Sequence, residues 1–260
     1  SGKADINELL RNRWLELWYQ PKINLAAMKV VGAEALLRAR HPQRGILTPA
    51  QILPPPGDPH YDEITNLVVG QALVDWQHFA KQRLQLKLSV NMPVSVLCAP
   101  YLIHKFREWL PKDPGFPGLI VEVTEDEVTR EPILVQEIAA QLKLINVGLS
   151  IDDFGAGYSS FSRLRELPCE ELKLDRSFVD GCSLDGGKQS LCTAVIDLAH
   201  GFGLSVCAEG VENVNDLRTL IDLRCDVAQG YLFAKPMPSD AFVKFLSDRP
   251  SGSNAPECMP

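Results

Sequence analysis

Eight polar residues stand at or near the ends of short β-rich runs: Glu34, Asn91, Glu122, Asp152, Asp153, Lys173, Glu209 and Gln229. Gathered in one place, the five carboxylates and the Asn91 carboxamide would repel one another unless cations lay between them. An all-oxygen donor set of this kind selects Mg²⁺ or Mn²⁺ over zinc. Two such ions about 3.5–4 Å apart are a recurrent device for in-line attack on a phosphodiester. Taken singly, an acidic residue at a strand end is more often a helix N-cap or half of a loop salt bridge. Agreement in phase across many strands is not accounted for that way.

That agreement follows from the two-residue period of a strand. In Leu86–Asn91 the leucines and Val90 share one face, and Ser89 and Asn91 the other. Leu149 and Ile151 oppose Ser150 and Asp152, Leu172 and Leu174 oppose Glu171, Lys173 and Asp175, and Leu204, Val206 and Ala208 oppose Ser205, Cys207 and Glu209. If the apolar faces meet surrounding helices, the polar faces point into a barrel. A buried charge there is costly unless paired or metal-bound.

The elements that must position these residues are eight predicted strands, Leu15–Tyr19, Val30–Leu36, Leu86–Asn91, Leu119–Val123, Gly148–Asp153, Glu171–Asp175, Leu204–Glu209 and Cys225–Gln229. Helical spacing fills most gaps, as in Leu134, Ile138 and Leu142 behind Pro132, and in Leu191, Val195, Leu198 and Phe202 before Gly203. Strand and helix alternating in this way imply a parallel sheet. The gap of about ten residues between Tyr19 and Val30 is too short for a crossover helix, so the first two strands should form a hairpin. The expected fold is α/β, a modified (β/α)8 TIM-type barrel with its first strand antiparallel, and strand C-termini in such barrels converge on the mouth where chemistry is done.

Composition agrees. The chain of 260 residues is 45% apolar and 23% charged, enough for a full core. A net charge of −7 argues against a nucleic-acid polymer as partner, and the short apolar runs argue against membrane insertion. Seven scattered cysteines without Cys-x-x-Cys spacing suit a reducing cytoplasm, whether of a free protein or of the cytoplasmic domain of a larger, membrane-anchored one. The five histidines show no ligand spacing, and Trp14, Trp18, Trp76 and Trp109 read as packing residues. Residues 1–13 read as a lead-in helix or linker, 14–246 as the barrel and 247–260 as a disordered tail.

Glu34-Ala35-Leu36-Leu37-Arg38 resembles the signature of the EAL-domain family of cyclic di-GMP phosphodiesterases. The family's order continues with Tyr19-Gln20-Pro21 before it and, after it, Asn91, Glu122-Val123-Thr124-Glu125, Asp152-Asp153-Phe154-Gly155-Ala156-Gly157-Tyr158-Ser159-Ser160, Lys173-Leu174-Asp175, Glu209-Gly210-Val211-Glu212 and Gln229-Gly230-Tyr231. The resemblance implies hydrolysis of cyclic di-GMP to linear pGpG. It implies that Glu34, Asn91, Glu122, Asp152, Asp153 and Glu209 ligate two Mg²⁺ or Mn²⁺ ions, with Glu209 as a further ligand or the general base. Lys173 would act with Glu34 and Glu209 on the water and phosphate, while Gln20, Leu36, Arg38, Asp175 and Gln229 would face the substrate. Glu125, Phe154, Gly155, Gly157, Ser159 and Glu212 would form the loop that couples dimerisation to metal binding. A homodimer and a regulatory domain beyond this stretch are implied too, and Ca²⁺ should bind without supporting catalysis.

Asp152 and Asp153 are adjacent, and neighbours in a regular strand face opposite ways. The strand is therefore expected to end there, with Gly155 permitting a turn on which the two carboxylates converge. Departures from the family's pattern are Ala39, Pro93, Ala156 and above all Ile52-Leu53-Pro54-Pro55-Pro56-Gly57-Asp58-Pro59, a stiff segment placed to act on pocket access or on the dimer face. Two other functions compete. One is an EAL domain that has lost turnover and serves as a cyclic di-GMP receptor or protein-interaction module; the other is a metal-assisted barrel lyase or isomerase with Lys173 as base.

Overall fold

Aliphatic and polar residues alternate along several of the strands, as in Lys87–Asn91 and Glu171–Leu174, and the sheet they build closes on itself. In the computed structural model, which describes residues 2–155 and 167–248, β1 (Leu15–Asn24) and β2 (Lys29–His41) form an antiparallel hairpin. Six parallel strands follow β2: β4 (Lys87–Asn91), β5 (Leu119–Thr124), β6 (Val147–Phe154), β7 (Glu171–Leu174), β8 (Ser205–Ala208) and β9 (Val227–Ala228). The ring closes where β9 pairs antiparallel with β1, Ile23 opposite Ala228 and Asn24 opposite Val227. The expected eight-stranded barrel with a reversed first strand is therefore present.

Strand lengths differ from the expectation in informative ways. β1 runs five residues past Tyr19, straight through Pro21. That proline falls between the short pairings of Trp18 and Tyr19 with β10 (Met237–Pro238) and of Ile23 and Asn24 with β9, an unpaired stretch of edge where a missing N–H is tolerated. β10 and β3 (Gly45–Leu47) extend the sheet beyond the barrel and were not anticipated, being only two and three residues long. The last barrel strand shrinks to Val227–Ala228.

Helices cover the outside. The longest, His60–Lys81, buries Ile64, Val68, Ala72, Leu73, Trp76 and Phe79. Phe79 meets Tyr19 of β1 at 5.2 Å and Phe242 of the helix Ser239–Ser247 at 5.5 Å, aromatic contacts worth about 0.5–1.5 kcal/mol each beyond burial. Two helical faces are rotated from the predicted ones. In Pro132–Lys143 the buried residues are Val135, Ile138, Ala139 and Leu142, with Leu134 outside. In Gly186–Gly201 they are Cys192, Val195, Ile196 and Ala199, while Leu191 is half exposed. An isolated i, i+4 row picks the wrong stripe when a helix carries apolar residues on both flanks.

The lead-in segment is the helix Ile6–Arg11, capped by Asp5, with Ile6 and Leu9 buried. The expected tail from residue 249 onward, and the loop residues Gly157 and Ser159, lie outside the described residues. Among the described residues no helix is long and apolar enough to cross a membrane, and the six described cysteines are free thiols.

Candidate active site

Parallel strands deliver their C-terminal residues to one end of the barrel. Glu34 of β2 pairs with Gln20 of β1, and Asn91 and Glu122 end up side by side on β4 and β5. Glu209 follows β8, its N–H bonded to Leu174 O, and Gln229 follows β9, its N–H bonded to Ala208 O. Gly230 keeps Gln229 there: a Cβ at this position would lie 2.1 Å from Val211 O, so only glycine lets the two backbones approach.

Lys173 occupies the centre. Its side chain is 1% exposed, and Nζ lies 2.7 Å from Glu122 Oε2, 2.7 Å from Glu209 Oε1, 3.1 Å from Asp152 Oδ1 and 3.5 Å from Glu34 Oε2. Glu34 is held from two further sides, by Asn91 Nδ2 on Oε1 at 2.7 Å and Gln229 Nε2 on Oε2 at 2.6 Å. Gln229 Nε2 also lies 3.4 Å from Glu209 Oε1. The expected companions Glu34, Asn91, Glu122, Asp152, Lys173, Glu209 and Gln229 are thus in mutual contact.

Asp153 joins them by a route the sequence reading had wrong. β6 does not end at the aspartates; it continues to Phe154 with a register shift against β7, and Asp153 itself takes φ +56°. A bulge of this kind lets consecutive side chains turn to the same side. One oxygen each of Asp152, Asp153 and Glu209 then lies within 4.8 Å of the others. Gly155, φ +96°, completes the turn, and a Cβ there would crowd the Phe178 ring at 3.0 Å.

Charge in this cluster does not balance. Burial raises Glu34 above the usual carboxylate range, helped by Glu122 and Asp152 and opposed by Lys173. Burial likewise raises Glu209 to about 8, with Asp152 and Glu34 adding to it against Lys173. Burial would raise Glu122 too, yet Lys173 and Lys22 hold it well below the ordinary value. Burial would lower Lys173, and the surrounding carboxylates outweigh it, so the ammonium stays charged. One ammonium cannot neutralise five carboxylates. The oxygen donors Asp152, Asp153 and Glu209, of which Asp153 is exposed, fit one or more hard divalent cations.

The remaining predicted residues fall as follows. Gln20 is buried beside Glu34 and donates to Ala234 O at 3.1 Å. Leu36 and Arg38 follow Glu34 on the same strand face, and the half-buried Arg38 guanidinium lies 5.9 Å over the Trp18 ring. Asp175 caps the short helix Arg176–Val179, accepting from Ser177 N–H at 2.9 Å, the role open to any single acidic residue after a strand. Glu125, first residue of the helix Glu125–Arg130, is buried and accepts the Gly155 N–H at 2.9 Å. Phe154 is buried, and Glu212 is paired with Arg176 at 2.9 Å.

A deeper layer joins Ser150 and Glu171, both expected on the inward polar face, to Lys22, which the sequence does not single out. Lys22 Nζ lies 2.9 Å from Glu122 Oε1 and 2.7 Å from Glu171 Oε1, and Ser150 Oγ donates to the same Glu171 oxygen at 3.1 Å. The signal was available: Lys22 is two residues from Gln20 on one face of β1, and it was lost by ending that strand at Tyr19.

Fold and site together define a (β/α)8 barrel with a reversed first strand and an acidic, cation-competent mouth. Residues 3–236 match the EAL domain, and the chain belongs to that family. It is 34% identical to the cyclic di-GMP phosphodiesterase RocR of Pseudomonas aeruginosa, over 94% of this chain and 63% of that protein. It is 36% identical to the cyclic di-GMP phosphodiesterase NbdA of the same organism, over 94% of this chain and 32% of that protein. The chain thus spans less than two thirds of the length of these relatives. Among solved structures, the cyclic di-GMP complex of the PaMucR phosphodiesterase superposes with a TM-score of 0.85 at 33% identity, covering 92% of this chain and 98% of that one.

Proposed function

We propose that this barrel hydrolyses one ester bond of cyclic di-GMP, giving linear pGpG, with two Mg²⁺ or Mn²⁺ ions. The carrying observation is the mouth itself, where Lys173 Nζ lies within 3.5 Å of four carboxylates, the Asn91 and Gln229 carboxamides hold Glu34, and Asp153 lies within 4.8 Å of Asp152 and Glu209. Relatives named as phosphodiesterases of this substrate support the reading. Glu34, Asn91, Glu122, Asp152, Asp153 and Glu209 would hold the ions. Bound there, the ions supply Lewis-acid polarisation of the phosphate and acidify water.

The chain's own groups do the rest. Glu209 stands at the mouth, where it would serve as a further ion ligand or as the general base that takes the proton of the attacking water. Lys173 fixes that carboxylate through Oε1 and offsets charge developing on the phosphate. Arg38, Gln20, Leu36 and Gln229 hold the phosphate and guanine, with Asp175 next to Asp153. The Glu125 to Gly155 bond, with Phe154, Gly157, Ser159 and Glu212, belongs to a loop that couples a homodimer to the cation site. The setting is cytoplasmic, under a regulatory domain beyond this stretch of chain.

The test is incubation with cyclic di-GMP and Mn²⁺, with and without EDTA, followed by chromatography. Metal-dependent pGpG is expected, with none in Ca²⁺ alone, because Ca²⁺ is larger and less demanding of octahedral geometry. Tight substrate binding without product would overturn the enzymatic reading in favour of a receptor.

A further inference from the structure

One pair of buried charges has no part in the chemistry above. Lys22 is 4% exposed and Glu171 5%. Glu171 stands two residues before Lys173 on β7, about 7 Å deeper in the barrel. Glu122 is therefore gripped on both oxygens by different cations, Lys22 on Oε1 at 2.9 Å and Lys173 on Oε2 at 2.7 Å. Lys173 reaches the mouth, whereas Lys22 lies behind Glu122, balanced by Glu171 at 2.7 Å. Buried ion pairs are often no more stabilising than apolar residues of the same volume, so stability by itself does not call for this one.

We propose that Lys22 is a positioning residue for the cation site: it pins Glu122 Oε1 so that Oε2 alone is presented to the mouth, and Glu171 holds Lys22 in that place. A carboxylate with one oxygen fixed is a donor of defined direction. When a divalent cation draws on Glu122, Lys173 must share Oε2, but Lys22 competes with nothing and keeps the rotamer. Second-layer partners of this sort commonly tune metal affinity or activity about 10–100-fold. The turnover part of this inference rests on the phosphodiesterase reading; the cation-binding part does not.

The experiment compares the native chain with Lys22→Met and with the paired variant Lys22→Met/Glu171→Gln, which removes one charge of each sign and leaves the net charge of the interior unchanged. Mn²⁺ affinity is measured by calorimetry, melting temperature by circular dichroism, and kcat and KM with cyclic di-GMP. The paired variant is expected to melt within a few degrees of the native chain, to bind Mn²⁺ about 10–100-fold more weakly, and to lose kcat by a similar factor with KM little changed. Lys22→Arg, which keeps the charge, should recover part of the affinity. A paired variant that binds Mn²⁺ and turns over like the native chain overturns the proposal. So does one that fails to fold, because the pair is then a structural requirement. If the native chain binds Mn²⁺ but makes no pGpG, the proposed function fails while the affinity comparison still decides the role of Lys22.

Discussion

The backbone N–H of Gly155 donates to Glu125 Oε2 at 2.9 Å, tying the turn after β6 to the first residue of the helix that follows β5. This bond lies two residues beyond Asp153, whose φ of +56° is what aims its carboxylate at Asp152 and Glu209. Glu125→Ala should leave the barrel folded but release that turn, weakening Mn²⁺ binding about tenfold or more. Calorimetric titration with Mn²⁺ checks it, and unchanged affinity would show that the bulge holds itself.

Glu34 is buried in the mouth, and that burial, with Glu122 and Asp152, pushes its ionisation upward. A group with a raised acid pKa destabilises the fold when ionised at neutral pH. Glu34→Gln should therefore melt at or above the native temperature in EDTA while turnover falls by at least about a hundredfold, the pattern of a group kept for function rather than stability. Asp152→Ala should lose turnover similarly. Near-native hydrolysis by either variant would refute the site assignment.

Lys173 is the counter-ion of four carboxylates, all within 3.5 Å of its Nζ. Lys173→Met keeps the stem and removes the charge, leaving those carboxylates buried against one another, a change that costs about 3–5 kcal/mol in comparable buried pairs. The melting temperature in EDTA should drop by several degrees or more. Saturating Mn²⁺ should recover much of the loss, since the ions take over the neutralisation; a deficit indifferent to Mn²⁺ would place Lys173 outside the cation site.

Acid stability should depend on Asp216, a buried carboxylate outside the cation cluster. Burial would raise its carboxyl, but hydrogen bonds from Ser183, Gly181 and Asn213 bring it down to about 2. Gly181 N–H and Ser183 N–H each lie 2.9 Å from it, fastening the segment before Gly186–Gly201 to the helix Val214–Asp222. Because the folded value lies below the unfolded one near 4, this stabilisation is complete above about pH 4 and fades as pH falls through 2. Asp216→Asn should cost on the order of 1–3 kcal/mol at pH 7, with the gap to the native chain closing between pH 4 and 2. Urea midpoints across that range measure it.

Strand identity and the inward polar face could be read from the chain, since a two-residue period is local and survives without knowledge of neighbours. Asn91, Asp152, Lys173 and Glu209 fall on the polar phase of a strand and Glu34 and Glu122 at or near strand ends, and the reversal of β1 follows from a gap too short for a helix. Helical faces were less legible: Leu134 and Leu191 fit an apolar row yet point outward.

Tertiary structure decided what each of those side chains meets. Lys22 lies 100 residues from Glu122 and 149 from Glu171 along the chain, and only the stagger of strands around the closed barrel brings them together. The bulge at Asp153 likewise depends on how β6 registers against β7, a relation between two strands that neither encodes alone. Periodicity is a property of one segment and is written in its residues. Register, closure and the partner of a buried charge are properties of pairs of segments, and they are fixed when the sheet closes and each ammonium must find its carboxylate out of water.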